Sequence, residues 1–124
     1  FIMLAGGQLY EMITSGQKDT ASARQQLAEA GYEGEKLRQL LSAVEPTRIA
    51  HRLDATRTWL YTATQDTVVP LSSANALARS AGLSRDHQML IEANHYTAIL
   101  HLPRILDHVV TRIRTQSGIS PEVP

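Results

Sequence analysis

Two apolar strands separated by one helix lie in the second half of the chain, and this pattern constrains the fold most. One strand is predicted over "RTWLYTAT", residues 57–64, which is aromatic, β-branched and apolar, and the other over "HQMLIEA", residues 87–93. The helix between them has Ser72 or Ser73 as its expected N-cap. Its apolar face consists of Ala74, Leu77, Ala78 and Ala81. A strand, a short helix and a second strand predict a right-handed parallel crossover and hence an α/β fold.

The rest of the chain adds one strand and several helices. Residues 1–5, "FIMLA", form an apolar run that ends at two glycines, as a buried strand does where it leaves a sheet. From Gly7 to Ala55 the pattern indicates only helices and turns. The last helix carries the longest apolar stripe: Leu102, Ile105, Leu106, Val109, Val110 and Ile113. Residues 117–124 lack periodicity and are predicted to form a flexible tail.

Composition excludes several classes of function. Twelve acidic and twelve basic side chains balance in 124 residues, so no overall field recruits nucleic acid or an anionic membrane. The absence of cysteine excludes disulfides, thiolate zinc sites and a cysteine nucleophile, and it leaves localisation open. No apolar run approaches the roughly 20 residues that a membrane span requires. This balance suits a neutral small-molecule substrate.

An aspartate and a histidine follow the two strands of the predicted crossover. Asp66 comes just after the first strand, and His95 just after the second. Parallel strands end at one edge of a sheet, where open α/β sheets bind ligands, so we expect the two side chains to lie side by side. An aspartate that holds one imidazole nitrogen leaves the other nitrogen free to take a proton from a nucleophile. Asp66 could alternatively serve only as a turn former or a helix cap.

The segments around these two residues resemble a known family. The run "ATQDTVVP" followed by a helix, a strand, "ANHY" and an amphipathic helix is similar to the C-terminal part of an α/β-hydrolase, most of all to esterases and dienelactone-hydrolase-type members. The resemblance covers about residues 57–114, the acid and histidine part of the core. It implies that residues 1–116 form the C-terminal half of a doubly wound sheet, with about three parallel strands and flanking helices. Residues 8–55 would then be a helical, cap-like insertion.

The chain departs from the family pattern in two ways. Ala63 and Asn94 stand where many members have glycine. No G-x-S-x-G motif and no oxyanion-hole loop is present, and in the family's chain order the nucleophile lies upstream of residue 1. The serines of this chain fall in predicted helices, caps and loops, so none is nominated as a nucleophile. The resemblance therefore implies the acid-and-base half of a serine hydrolase.

These observations lead to one main functional expectation and two alternatives. The full-length protein would hydrolyse a small-molecule ester without a cofactor, with His95 as general base and acid, Asp66 as its orienting partner, and an upstream serine as nucleophile. The isolated fragment would be inactive. One alternative is a non-catalytic binding or interaction module in which Asp66 and His95 form only a structural pair. The other, a nucleotide site at the strand ends, is disfavoured because no G-x-G-x-x-G motif is present.

The remaining histidines do not predict a metal site. His101 and His108 are two helical turns apart, too far for joint chelation of one ion without other ligands, and His51 and His87 have no ligand-spaced partner. A chain that lacks the first half of its sheet would expose a strand edge and apolar faces. We therefore expect the isolated chain to self-associate through that edge.

Overall fold

A parallel sheet of three strands lies at the centre of the fold. The structure, a computed structural model, describes residues 1–17 and 19–117. The strands are β1 (Ile2–Met3), β2 (Leu60–Ala63) and β3 (Gln88–Ile91), in the order β1-β2-β3, and both pairings are parallel. The predicted mixed α/β architecture with a parallel pair in the second half is confirmed.

The described residues form five α-helices. They are α1 (Leu9–Ser15), α2 (Asp19–Glu29), α3 (Gly34–Ala43), α4 (Leu71–Ser80) and α5 (Leu102–Ser117). Short 3-10 turns cover Pro46–Arg48, Ala50–Arg52, Arg85–His87 and Thr97–His101. α4 connects β2 to β3, as the crossover pattern predicts. Within the described ranges, no helix is both long and apolar enough to cross a bilayer. The predicted tail lies outside the described residues except for Ser117, which ends α5.

Hydrophobic side chains from β2 point alternately to two separate cores. Leu60 packs in a cluster with the apolar face of α4. Tyr61 packs in a second cluster with Ile91 and Ile105, together with Trp59, which directly precedes β2. The alternation follows from the two-residue period of a strand. Because β2 has helices on both of its faces, all four of its residues are buried, as expected for a central parallel strand.

α5 covers the second core with only part of its apolar stripe. Ile105 is buried and Val109 packs against the same cluster. Leu106, Val110 and Ile113 are 51%, 43% and 50% exposed, respectively. These three residues lie at i, i+4 and i+7, on a row beside the buried one. The helix is as predicted, but four of the six stripe residues, Leu102 among them, are exposed in the described chain.

The N-terminus of α4 differs from the prediction. Neither Ser72 nor Ser73 caps the helix, because the helix already begins at Leu71 and its N-cap is Pro70. The Pro70 carbonyl accepts hydrogen bonds from the N–H groups of Ser73 and Ala74. Ser73 is instead buried in the first turn of the helix, against the chain that follows β1, where a Cβ on Gly6 would lie 2.8 Å from the Ser73 Cβ. Gly6 is thus required for a close approach between the chain and α4.

One carboxylate joins the two ends of the segment that contains α1, α2 and α3. The Glu45 side chain accepts hydrogen bonds from the N–H of Gln8 at 2.9 Å and from the N–H of Leu9 at 2.8 Å. It also accepts a hydrogen bond from the Thr47 hydroxyl at 2.7 Å. α1 has no capping side chain of its own, so Glu45 satisfies its first N–H groups from a position far along the chain.

Candidate active site

Two backbone hydrogen bonds join the loops that follow β2 and β3. The N–H of Thr64 donates to the Ile91 carbonyl at 2.9 Å, and the N–H of Gln65 donates to the Ala93 carbonyl at 3.0 Å. The pairing of the two strands therefore continues beyond their ends. Asp66, the next residue of the first loop, therefore lies at the same edge of the sheet as the second loop.

Asp66 lies beneath this edge with its carboxylate fully engaged. Its side chain is 1% exposed. Oδ1 accepts hydrogen bonds from the N–H groups of Val68 and Val69, both at 2.8 Å, and Oδ2 lies 2.8 Å from His95 Nδ1. The aspartate thus does both things that the sequence suggested: it shapes a turn and it holds a histidine. The predicted pairing of Asp66 with His95 is present in the structure.

The contact with Asp66 determines which nitrogen of His95 carries the proton. A carboxylate only accepts hydrogen bonds, so the neutral ring is protonated at Nδ1. Nε2 then presents a lone pair, and the side chain is 30% exposed. Among the described residues, Asp66 is the hydrogen-bond partner of the His95 ring. The ring can therefore accept a proton at Nε2 while Asp66 stabilises the resulting imidazolium.

Asn94 fixes the turn that presents His95. Its side-chain oxygen accepts hydrogen bonds from the N–H groups of Tyr96 and Thr97 at 3.0 and 2.9 Å, and the Thr97 hydroxyl accepts one from the Asn94 N–H. Asn94 is not among the residues with positive φ, so its backbone does not require glycine. Asparagine at this position orders the loop without backbone strain.

Tyr96 connects the histidine loop to the helical segment. Its ring lies 5.5 Å from the His95 ring in an edge-to-face arrangement, and its hydroxyl donates a 2.5 Å hydrogen bond to Asp19 at the start of α2. The hydrogen bond to Asp19 raises the pKa of Tyr96, with smaller contributions from burial and from the charges of Asp19 and Asp66. Sequence reasoning missed this link, because no local pattern relates two residues that are 77 positions apart.

No serine of the described chain reaches His95. Ser15, Ser22 and Ser42 hydrogen-bond within their own helices, and Ser73 is buried beside Gly6. Across residues 1–17 and 19–117, no serine hydroxyl is hydrogen-bonded to the His95 ring. The site therefore contains an acid and a base in contact, and no serine hydroxyl of the described residues is bonded to the base.

Two of the other histidines have structural partners. His87 Nδ1 lies 2.8 Å from the Thr58 carbonyl, and its ring stacks on Trp59 at 4.5 Å. His108 Nδ1 lies 2.6 Å from the Tyr61 hydroxyl. Within the described residues, no group of three or more histidine, aspartate or glutamate side chains is placed to hold a metal ion.

Comparisons with known protein families, with curated proteins and with solved structures found no match to this chain.

Proposed function

We propose that this chain supplies the acid and the base of a serine hydrolase of the α/β-hydrolase type, acting on a small-molecule ester. The observation that carries the proposal is the 2.8 Å contact between Asp66 Oδ2 and His95 Nδ1, which leaves Nε2 open for proton transfer. The resemblance of residues 57–114 to the C-terminal part of such hydrolases supports the same assignment. The nucleophilic serine would come from a segment upstream of residue 1.

The reaction would use His95 twice. Nε2 takes the proton of the serine hydroxyl as the serine oxygen attacks the ester carbonyl, and Asp66 stabilises the imidazolium that forms. The C–O bond of the ester then breaks, and the leaving alkoxide takes the proton from Nε2. In the second half, Nε2 takes a proton from water, the hydroxide attacks the acyl-enzyme, and the proton returns to the serine. The reaction needs no oxidant, reductant or cofactor.

Helices α1 to α3 would form one wall of the substrate pocket in this proposal. The hydrogen bond from Tyr96 to Asp19 supports that position, because it fixes the start of α2 next to the histidine loop. The balanced charge of the chain favours a neutral ester over a strongly charged one.

The proposal is tested by labelling the full-length protein that contains these residues with a fluorophosphonate, which reacts with activated serines. We expect one labelled serine upstream of Phe1, and we expect His95→Ala to abolish the labelling. His51→Ala is the matched control, because His51 is exposed and lies outside the site. The isolated chain of 124 residues should remain unlabelled. A label on a serine within residues 1–124, or equal labelling of the wild type and His95→Ala, would contradict the proposal.

A non-catalytic binding module is the second candidate, and one observation favours it. Asp66 already has a structural task, since it accepts the N–H groups of Val68 and Val69 irrespective of any chemistry. If the full-length protein does not react with the fluorophosphonate while its fold is intact, this candidate replaces the hydrolase.

A further inference from the structure

A cavity of about 600 Å³ lies between α5 and β3, away from the acid and the base. Its lining includes the apolar side chains of Met89, Ile91 and Ile105 and the rings of Tyr61 and His108. Neither Asp66 nor His95 belongs to the lining. The volume lies within the range of known small-molecule sites, about 300–1,000 Å³.

Three side chains beside this cavity form a hydrogen-bonded chain with a defined direction. Arg112 Nε donates to His108 Nε2 at 3.1 Å, so that nitrogen carries no proton. The proton of the neutral ring is then on Nδ1, which donates to the Tyr61 hydroxyl oxygen at 2.6 Å. Burial lowers the pKa of His108, the charge of Arg112 lowers it further, and Asp107 opposes both. The neutral form of the His108 ring, which these two hydrogen bonds require, is therefore the form favoured near neutral pH.

In this series of hydrogen bonds the Tyr61 oxygen is an acceptor, so the hydroxyl proton of Tyr61 has no protein acceptor among the described residues. The Tyr61 oxygen accepts from His108, and no other partner of this hydroxyl is found within residues 1–17 and 19–117. Tyr61 is 2% exposed, so the protein rather than bulk water surrounds most of the residue. A hydroxyl at the wall of a cavity, with no protein acceptor for its proton among the described residues, can donate that proton to an acceptor atom on a ligand.

The charges around the cavity limit the ligand further. The lining carries one guanidinium, Arg104, and two carboxylates, Glu92 and Asp107. Arg112 beside the cavity brings the formal charges to zero, and His108 adds none in its neutral form. An anion would therefore find no net positive charge here, and a cation without an acceptor atom could not take the Tyr61 proton. Apolar side chains cover much of the remaining wall. We propose that this cavity binds a neutral, mainly apolar molecule through one oxygen acceptor, such as a ketone carbonyl, which accepts the hydroxyl proton of Tyr61.

The test uses the neutral naphthalene ketone PRODAN, whose emission reports the polarity of its surroundings. Trp59 is the single tryptophan of the chain, and its ring lies 6.2 Å from the His108 ring. Binding in the cavity should therefore transfer excitation from Trp59 to the dye. We expect saturable binding of one dye per chain, with blue-shifted emission. Absence of saturable binding would overturn the proposal.

The hydrogen bond is tested with Tyr61→Phe, which keeps the ring and removes the hydroxyl. We expect this variant to weaken PRODAN binding about two- to ten-fold, the effect of one hydrogen bond between neutral groups. Binding of dimethylaminonaphthalene, which has the same rings without the ketone, should not change. Tyr32→Phe is the matched control, because Tyr32 is exposed and does not line the cavity. Equal affinities of the wild type and Tyr61→Phe for PRODAN, or an equal loss for both dyes, would refute the proposed contact.

A second measurement needs no variant and remains informative if Tyr61→Phe does not fold. Titration of the wild-type chain with PRODAN should shift the amide NMR signals of β3 and of the first half of α5. Shifts confined to the loops of Asp66 and His95 would place the dye elsewhere and reject the cavity. Because this readout is binding, it is separate from the hydrolase proposal, and either can fail alone.

Discussion

Replacing Asp66 by asparagine should move the proton of His95 from one ring nitrogen to the other. Asparagine keeps an oxygen that can accept from the N–H groups of Val68 and Val69, so the turn survives. Its amide nitrogen then faces His95 Nδ1 and can only donate, so Nδ1 must accept and the proton must lie on Nε2. The variant would keep the geometry and lose the lone pair on which general-base catalysis depends.

The size of this effect follows from the 2.8 Å bond between Oδ2 and Nδ1. A hydrogen bond to a charged group contributes about 1.5–3 kcal/mol, which corresponds to a roughly ten- to hundred-fold preference for the Nδ1–H form in the wild type. In the full-length protein, the wrong tautomer should lower kcat by up to about 10⁴-fold, the magnitude known for such a change in a serine protease triad. The free energy of unfolding should fall by only about 1 kcal/mol.

The assay is NMR of the chain with ¹⁵N-labelled histidine, in which couplings to the ring protons identify the protonated nitrogen. His95 is assigned from the signal that disappears in His95→Ala. Asp66→Ala is the comparison variant, because it leaves two N–H groups unpaired and should lower the free energy of unfolding by about 2–3 kcal/mol. An Nε2–H ring in the wild type, or an Nδ1–H ring in Asp66→Asn, would refute the reasoning.

Two further predictions concern stability and association. Burial acts to raise the pKa of Glu45, but hydrogen bonds from Leu9, Thr47 and Gln8 outweigh it and hold the pKa below its ordinary 4.5. The stabilisation by this carboxylate, about 1 kcal/mol, is therefore complete above pH 4.5 and is lost as the pH falls through the lowered value; urea unfolding should show this slope, and Glu45→Gln should lack it. We also expect the isolated chain to self-associate, because β1 and β3 are sheet edges and Leu106 lies in an exposed apolar row. Sedimentation should show oligomers that Leu106→Glu weakens, and a monomer at high concentration would contradict this expectation.

The sequence predicts the centre of this fold well, because local periodicity determines it. The alternation in β2 sends Leu60 to one core and Tyr61 to the other, and the alanine-rich face of α4 packs as its spacing indicates. The proximity of Asp66 and His95 follows from the parallel arrangement of their strands alone. The rule that neighbouring parallel strands end at the same edge of a sheet therefore predicts the contact between Asp66 and His95, although 29 positions separate them.

Contacts between distant segments could not be predicted in the same way. The hydrogen bond from Tyr96 to Asp19 depends on how α2 docks, and no spacing encodes that. Serine at the start of α4 suggested a cap, but Pro70 already has the extended backbone and the carbonyl that begin the helix. Apolar periodicity in α5 predicts a helix, yet it does not indicate how much of the stripe the rest of the chain covers.

The contacts of Glu45 make the segment between Gln8 and Glu45 a closed loop with both ends at one place. The Glu45 carboxylate keeps the first and the last residue of this segment close together. The positions of these two ends therefore do not depend on the length of the helices between them. Loop closure costs only about 0.6 kcal/mol more for each doubling of length. The helices can therefore be lengthened, shortened or exchanged, and the separation of the acid from the base, which the backbone bonds after β2 and β3 determine, need not change with them.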